Sequence, residues 1–496
     1  MFESNKAVWL EKAEACKPAL HTETVRPVCG MPEHALRENA SIVLDFGNHF
    51  VGRLTLRLRS EGSHPDAPAW LQFKFCENKR ELNETLDGYK GWISKGWVQQ
   101  EQAHVDVLPT VLVLPRRYAF RYVRIDVLAL SNKYSLVVED AYADATTSAD
   151  DSLVKPLQGE AWENSIDRVA RRTLRSCMQD VFEDGPKRDR RMWLGDLRLQ
   201  ALANSVTYRS FDLVKRCLYL FAYASNAEGR IPACLFTEPR VEGDDTYMFD
   251  YSLFFIPTLL NYGQASGDTE TMRDLLPLAL HQLTLAEERF DADTQLIRDS
   301  NQLGWCFVDW NLELNKQCSA HAIWLYCAQA ALKMSEDSTL KALVETRKNA
   351  MLSNWYDSDR HLFVSGGDGQ ISWASQVWAV LAGAVTGEDA RACLDAAAAC
   401  PNALGMVTPY MMHHYVEALC LVGRRQQARQ VIRNYWGAMV NSGADTFWEL
   451  FNPADPDESP YGSPIVNSYC HAWSCTPTWF LRSGILQNKQ PDHELT

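Results

Sequence analysis

The chain has 496 residues, 46% of them hydrophobic, and a formal net charge of −14. That length exceeds what one hydrophobic core usually supports, so at least two domains are expected. The acidic balance gives no general attraction for phosphate backbones or anionic surfaces, which argues against nucleic acid and membranes as partners.

The N-terminus MFESNKAVWLEKAEAC has early acidic residues and no signal-peptide core, and no later run is apolar for long enough to span a membrane, so the chain reads as cytoplasmic. The first forty residues read either as an extended lead-in or as part of the sheet structure that follows. From about Ser41 to Asp140, apolar and polar residues alternate in SIVLDFGNHF, GRLTLRLRS, AWLQFKFCE, HVDVLPTVLVLP and RYVRIDVLAL, with Gly, Pro, Asn and Asp between them. A period of two broken by turn formers predicts an antiparallel β-sandwich over 1–150. The stretch AYADATTSADDSLVKPLQG is small, polar and poor in strand formers, and marks the boundary.

Beyond it the period becomes helical, in ENSIDRVARRTLRSCMQDVF, TMRDLLPLALHQLTLAEERF, HAIWLYCAQAALKM and MHHYVEALCLVGRRQQARQVIRNYWGAMV. About a dozen such segments fit between 151 and 496. Helices joined by loops of unequal length, with no short repeat, suit a closed α/α barrel better than a solenoid. The loops EDGPKRDRRMWLGD, LFTEPRVEGDDTYMFDY, NQLGWCFVDWN and GADTFWELFNPADPDESPYGSPIVNSYCHAW are dense in aromatic and acidic residues. Such loops on a rigid helical frame are where a binding site is expected. The 14 cysteines are scattered singly without a CxxC pair, as buried free thiols would be.

Between Asp184 and Asp196 three carboxylates, a run of arginines and Trp193 occupy thirteen positions. Arginines can hold neighbouring carboxylates ionised, while a carboxyl in a desolvated pocket beside Trp can keep its proton near neutral pH. Taken alone, the segment also fits a solvated loop laced with surface ion pairs. Downstream, Trp448-Glu449 sets a carboxylate after an aromatic residue, and His471 could donate to a hydroxyl. Nothing demands a metal or cofactor: there is no HExxH, Glu242-Gly-Asp-Asp245 lacks EF-hand spacing, and no Gly-rich phosphate loop is found.

In order, DGPKRDRRMWLGD, FWE and NSYCHAW resemble glycoside hydrolase family 78, the α-L-rhamnosidases, whose motif is close to D-C-P-x-R-D-E-R-x-G-W-x-G-D, followed by W-E and a short N-H segment. LDFGNHFVGRLTLRL, FRYVRI, GRIP, VDWN and VTPYMMHHYVEAL extend the resemblance over most of the chain. It implies a β-sandwich followed by an (α/α)6 barrel, and inverting hydrolysis of small rhamnosides or oligosaccharides. The family's general acid is the Glu of R-D-E-R. Read forward from Asp184, that position is Arg190, which cannot deliver a proton at neutral pH. This chain is one residue shorter before its G-D, and read backward from Asp196 the position is Asp189.

The resemblance therefore implies Asp189 as general acid and Glu449 as general base. Asp184, Arg188, Trp193, Asp196 and His471 would contact the sugar, with Asp250, Asp309, Trp310 and Trp448 lining the pocket from other loops. Two further readings stay open: a catalytically silent rhamnose-binding protein, and a phosphorylase or other exo-glycosidase on the same barrel. The implied partner is a small carbohydrate, and the sequence leaves a homodimer open.

Overall fold

A computed structural model of the protein describes residues 2–298 and 305–487. Residues 301–304 of the loop NQLGWCFVDWN, and the end of the predicted second domain beyond 487, lie outside the described residues.

The N-terminal domain is an antiparallel sheet of β1 (His21–Val25), β2 (Ser41–Gly62), β3 (Ala69–Cys76), β4 (Gln100–Val105), β5 (Thr110–Val113), β6 (Tyr118–Ala129) and β7 (Tyr134–Thr147). The order is β1-β7-β2-β6-β3-β4, with β5 also on β2. The long β2 is shared: its first half pairs with β6 and its second half with β7 and β5. Alternation explains its orientation, since Leu54, Leu56 and Leu58 are buried while Arg53 and Arg57 face solvent. One apolar cluster draws on β2, β3, β6 and β7.

The second domain is helical, built from α2 (Ala161–Cys177), α3 (Leu194–Ser205), α4 (Phe211–Tyr223), α5 (Phe249–Ser266), α6 (Thr269–Ala286), α7 (Gln317–Leu332), α8 (Ser338–Trp355), α9 (Trp373–Leu381), α10 (Gly387–Ala399), α11 (Pro409–Leu421), α12 (Arg425–Asn441) and α13 (Pro477–Arg482). Helices α3, α5, α7, α9 and α11 touch in succession, and the 3-10 turn Ala472–Cys475 before α13 closes the circle back onto α3. The intervening helices lie outside them, which makes a six-hairpin toroid. Composition sorts the layers: α3, α5 and α7 are buried at nearly every position, whereas α2 and α12 keep polar outer faces.

Of the first forty residues, His21–Val25 joins the sheet as β1, in line with one of the two readings, whereas the segment before it does not. Lys6–Ala15 forms a helix, α1, that packs on α4 with Trp9 and Ala13 inside the core of the helical domain. The spacing i, i+4 puts those two residues on one face, and the Arg216 guanidinium donates to the Ala13 carbonyl at 2.8 Å. Helix α1 thus rests on the helical domain before β1 enters the sheet.

Candidate functional site

The inner helices α3, α5 and α11 open toward one set of loops. Asp196 lies in the first turn of α3 and Asp250 in that of α5, while Thr408 caps α11. Helix N-termini favour negative charge, so this end of the toroid suits a group of carboxylates. Gly195 is required by packing, because a Cβ there would meet the Tyr251 ring at 2.5 Å. Tyr251 in turn meets Trp193 edge-on, with ring centroids 6.2 Å apart.

The loop 184–193 is held from several sides. Lys187 forms a buried ion pair with Glu81 of the sheet domain and donates to the Asn467 carbonyl at 2.8 Å. Arg188, next along, donates from Nε to the Val466 carbonyl at 2.8 Å and from Nη2 to Glu449 Oε2. Its guanidinium also lies 4.4 Å from the centre of the Tyr461 ring. Tyr461 completes the pattern by donating its hydroxyl to Glu449 Oε1 at 2.5 Å.

Asp189 and Arg190 have left-handed backbone conformations, with φ of 61° and 52°. The pair turns the two side chains apart. Asp189 lies 3.9 Å from Arg188 Nη1 and acts electrostatically on Asp184, Asp196 and Glu449. Arg190 instead donates to the Lys187 carbonyl at 3.3 Å, among Arg117, Arg116 and Glu183. Burial and those neighbouring arginines pull its guanidinium down to about 10. Of the two residues that the motif could align with an acid, the one facing the other carboxylates is Asp189.

Asp184, Asp189, Asp196 and Glu449 therefore form one electrostatic group. Burial, then Asp189 and Asp196, raise the Asp184 carboxyl well above its ordinary range; burial, then Glu449, do the same to Asp196. Burial also raises Glu449, with Arg188 and the Tyr461 hydroxyl pulling against it. His471 is kept neutral by burial and by Arg188, so its approach of 3.4 Å to Asp196 is no ion pair. Asp196 Oδ1, His471 Nδ1, and the indole N–H groups of Trp193 and Trp310 have no partner within the protein, although all four atoms are buried. Buried polar atoms are rarely left unmatched, and two of these, Asp196 Oδ1 and His471 Nδ1, lie 3.4 Å apart, which suits a ligand rich in hydroxyl groups.

Three expected pocket residues play other parts. Asp250 accepts from the backbone N–H groups of Phe307 and Val308, at 3.0 and 2.9 Å, and Asp309 accepts from Val407 N and the Thr408 hydroxyl, at 2.9 and 2.6 Å. These carboxylates hold the loop that carries Trp310 rather than facing the acid group. Trp448 is 2% exposed and packs on Phe451, Tyr469 and Arg80, in the core behind Glu449. Conversely, sequence reasoning missed Tyr461, Lys187 and Glu81. Tyr461 sits in a loop already marked as aromatic and acidic; nothing local marks the other two as partners.

Two clusters among the described residues have the spacing of a cation site, His49–Glu77–Cys470 and His413–His414–Glu417. The first is already engaged, His49 with Ser176 and Glu77, and Glu77 with the Tyr469 N–H. The second faces the guanidinium of Arg198.

Comparison with known proteins places this geometry. Residues 5–145 match the model of the glycosyl hydrolase family 78 alpha-rhamnosidase N-terminal domain, and residues 160–485 match that of the bacterial alpha-L-rhamnosidase 6 hairpin glycosidase domain. Among solved structures, a rhamnosidase from Klebsiella oxytoca with rhamnose bound is 44% identical, with a TM-score of 0.93 over 96% of this chain and 98% of that one. A family 78 rhamnosidase of Bacillus sp. is 22% identical, with a TM-score of 0.73 over 90% of this chain and 46% of that one. The Streptomyces avermitilis alpha-L-rhamnosidase complexed with L-rhamnose is 19% identical, with a TM-score of 0.71 over 94% and 44%. The latter two show the shared fold. No curated protein matches the sequence.

Proposed function

The chain belongs to glycoside hydrolase family 78, the α-L-rhamnosidases, and from that premise we propose that it releases terminal α-L-rhamnose with inversion, using Asp189 as general acid and Glu449 as general base. The observation that carries the proposal is the four-carboxylate group in which Glu449 is held by Arg188 and Tyr461 while Asp189 stands at the other edge of the same guanidinium. One guanidinium touching both carboxylates keeps them within the roughly 9.5 Å upper limit for an inverting pair.

In the reaction, Asp189 gives its proton to the glycosidic oxygen as the C1–O bond breaks. Glu449 takes a proton from the water that forms the new C1–O bond on the opposite face. Arg188 and Tyr461 each occupy one lone pair of Glu449, which leaves capacity on both oxygens for that water. The unmatched atoms of Asp196, His471 and Trp193 would take the sugar hydroxyls. Asp196 Oδ1, buried and unmatched, can accept from one of them. Asp184 accepts the Arg191 N–H at 3.1 Å and holds the loop that carries Asp189.

Stereochemistry is the direct test of inversion. Proton NMR during hydrolysis of an aryl α-L-rhamnoside should show β-L-rhamnose first, with the α anomer rising only by mutarotation. The α anomer appearing first would exclude the inverting scheme. The proposed location is the cytoplasm, in keeping with cysteines that are all free thiols and mostly buried.

A further inference from the structure

Directly after β3 the sheet domain turns against the barrel with the segment 77–81, which carries two buried carboxylates, Glu77 and Glu81. Glu77 Oε2 accepts from the Tyr469 N–H at 2.7 Å. Its other oxygen lies 3.1 Å from His49 Nε2, and His49 Nδ1 lies 2.9 Å from the Ser176 hydroxyl. Glu81 pairs with Lys187, which also donates to the Asn467 carbonyl. Each contact lands close to one of the two proposed catalytic carboxylates. Lys187 stands two positions before Asp189, and Tyr469 follows Ser468, whose carbonyl accepts the Glu449 N–H at 3.1 Å.

The two contacts are parts of one locked turn. Glu81 Oε1 accepts from the N–H groups of Glu77 and Asn78 at 2.8 and 3.0 Å, and the Asn78 side chain accepts from the Arg80 N–H at 3.2 Å. This capping box fixes the 3-10 turn Lys79–Glu81. The carboxylate that holds Lys187 therefore also holds the backbone of the residue that holds Tyr469. On the barrel side, the Thr446 hydroxyl donates to the Tyr469 carbonyl at 2.7 Å, and the His471 N–H donates to the Phe447 carbonyl at 2.8 Å. The segment 468–471 thus runs alongside 446–449, and a displacement at Glu77 reaches the main chain of Glu449 through two hydrogen bonds.

Stability alone does not account for this arrangement. Taking carboxylates out of water is costly, and apolar packing of similar volume often holds an interface at least as well. What apolar packing lacks is direction, whereas a hydrogen bond confines its partner to about 2.7–3.2 Å along a preferred line. Direction matters to an inverting pair, which works only over separations of about 6.5–9.5 Å.

Resting on the assignment of Glu449 as general base, we propose that Glu77 is a positioning residue for Glu449, and that the segment 77–81 sets the spacing of acid and base from the sheet domain.

Two substitutions separate reach from charge. Glu77→Asp keeps the charge and shortens the side chain by one methylene. Glu77→Gln removes the charge and keeps the length, since its amide oxygen can accept from Tyr469 while its NH2 group donates to the other tautomer of His49. Both are assayed on methyl and 2,4-dinitrophenyl α-L-rhamnoside well below their own melting temperatures, where all molecules are folded. In Glu77→Asp, kcat should fall about 10- to 100-fold on both substrates with KM unchanged, the scale of a displaced catalytic group. Glu77→Gln should recover most of that loss. Equal losses on the two leaving groups mark a displaced base, because a displaced acid would spare the dinitrophenyl glycoside. Should Glu77→Asp not fold, His49→Asn keeps a polar group for Ser176 without reaching Glu77, and should lower kcat in the same pattern to a smaller degree. Unchanged kcat in the folded variants, or a greater loss in Glu77→Gln than in Glu77→Asp, would overturn the positioning role. Inactive Glu449→Gln in the same assay would leave the base assignment standing in that case, whereas full activity of Glu449→Gln would overturn the base assignment and the role of Glu77 with it.

Discussion

Asp189 and Arg190 carry consecutive positive φ angles, although neither is glycine. Each costs on the order of 1–3 kcal/mol and persists only where the surroundings enforce it. Here Arg188 and Lys187 pin the preceding residues and Asp184 accepts the Arg191 N–H at 3.1 Å, so the turn is fixed at both ends. The motif offered two alignments for the acid, one ending on Arg190 and one on Asp189. Only backbone geometry separates them, and no propensity argument anticipates two left-handed residues in R-D-R-R. The raised carboxyls carry a second consequence. Asp196 is buried with Oδ1 unmatched, which costs about 1–3 kcal/mol while the group is ionised. Because its folded pKa lies above the unfolded one, its ionisation lowers stability as pH rises through that interval, and the cost disappears in acid. Asp196→Asn should therefore raise the melting temperature at neutral pH and lose that advantage as pH is lowered. Thermal denaturation between pH 4 and 8 checks this, and an advantage independent of pH would contradict it.

The loop 184–193 joins the sheet domain to the barrel through Lys187 and Glu81, whose side chains are 2% and 1% exposed. Breaking a buried pair by removing one partner costs about 3–5 kcal/mol, because the other charge is left without compensation. Lys187→Met should lower stability by that amount in urea denaturation. It should also reduce kcat more than it raises KM, since it loosens the turn that aims Asp189 without touching the sugar. A loss of stability with unchanged kcat in the folded fraction would show that Lys187 only supports the fold. Elements of this kind were the least legible. Polar-faced helices such as α2, α6 and α12 declared themselves by period; of the helices buried almost all round, α7 was also marked, whereas α3 and α5 were not. The 3-10 segment Lys79–Glu81 reads as a solvated turn until its partner 106 positions away is known.

At the scale of the molecule, ring closure is what assembles the site. Arg188 precedes α3 and Glu449 follows α12, so the pair meets across 261 positions only because the turn before α13 returns to α3. The sheet domain then supplies Glu81, which pairs with Lys187 of the loop that carries Arg188. The two-domain plan and most loops of the site could be read from alternation, helical period and aromatic–acidic density. The seating of α1 on the barrel could not, because ten residues with Trp9 and Ala13 on one face do not say which domain they cover. The roles of the two carboxylates are tested most directly by leaving-group dependence. Asp189→Asn and Glu449→Gln are each assayed on methyl and 2,4-dinitrophenyl α-L-rhamnoside. A general acid matters only where the leaving oxygen needs a proton, so Asp189→Asn should lose about 10²- to 10⁴-fold on the methyl glycoside and far less on the dinitrophenyl one. Glu449→Gln should lose heavily on both, and equal losses on the two substrates in Asp189→Asn would contradict its assignment as the acid.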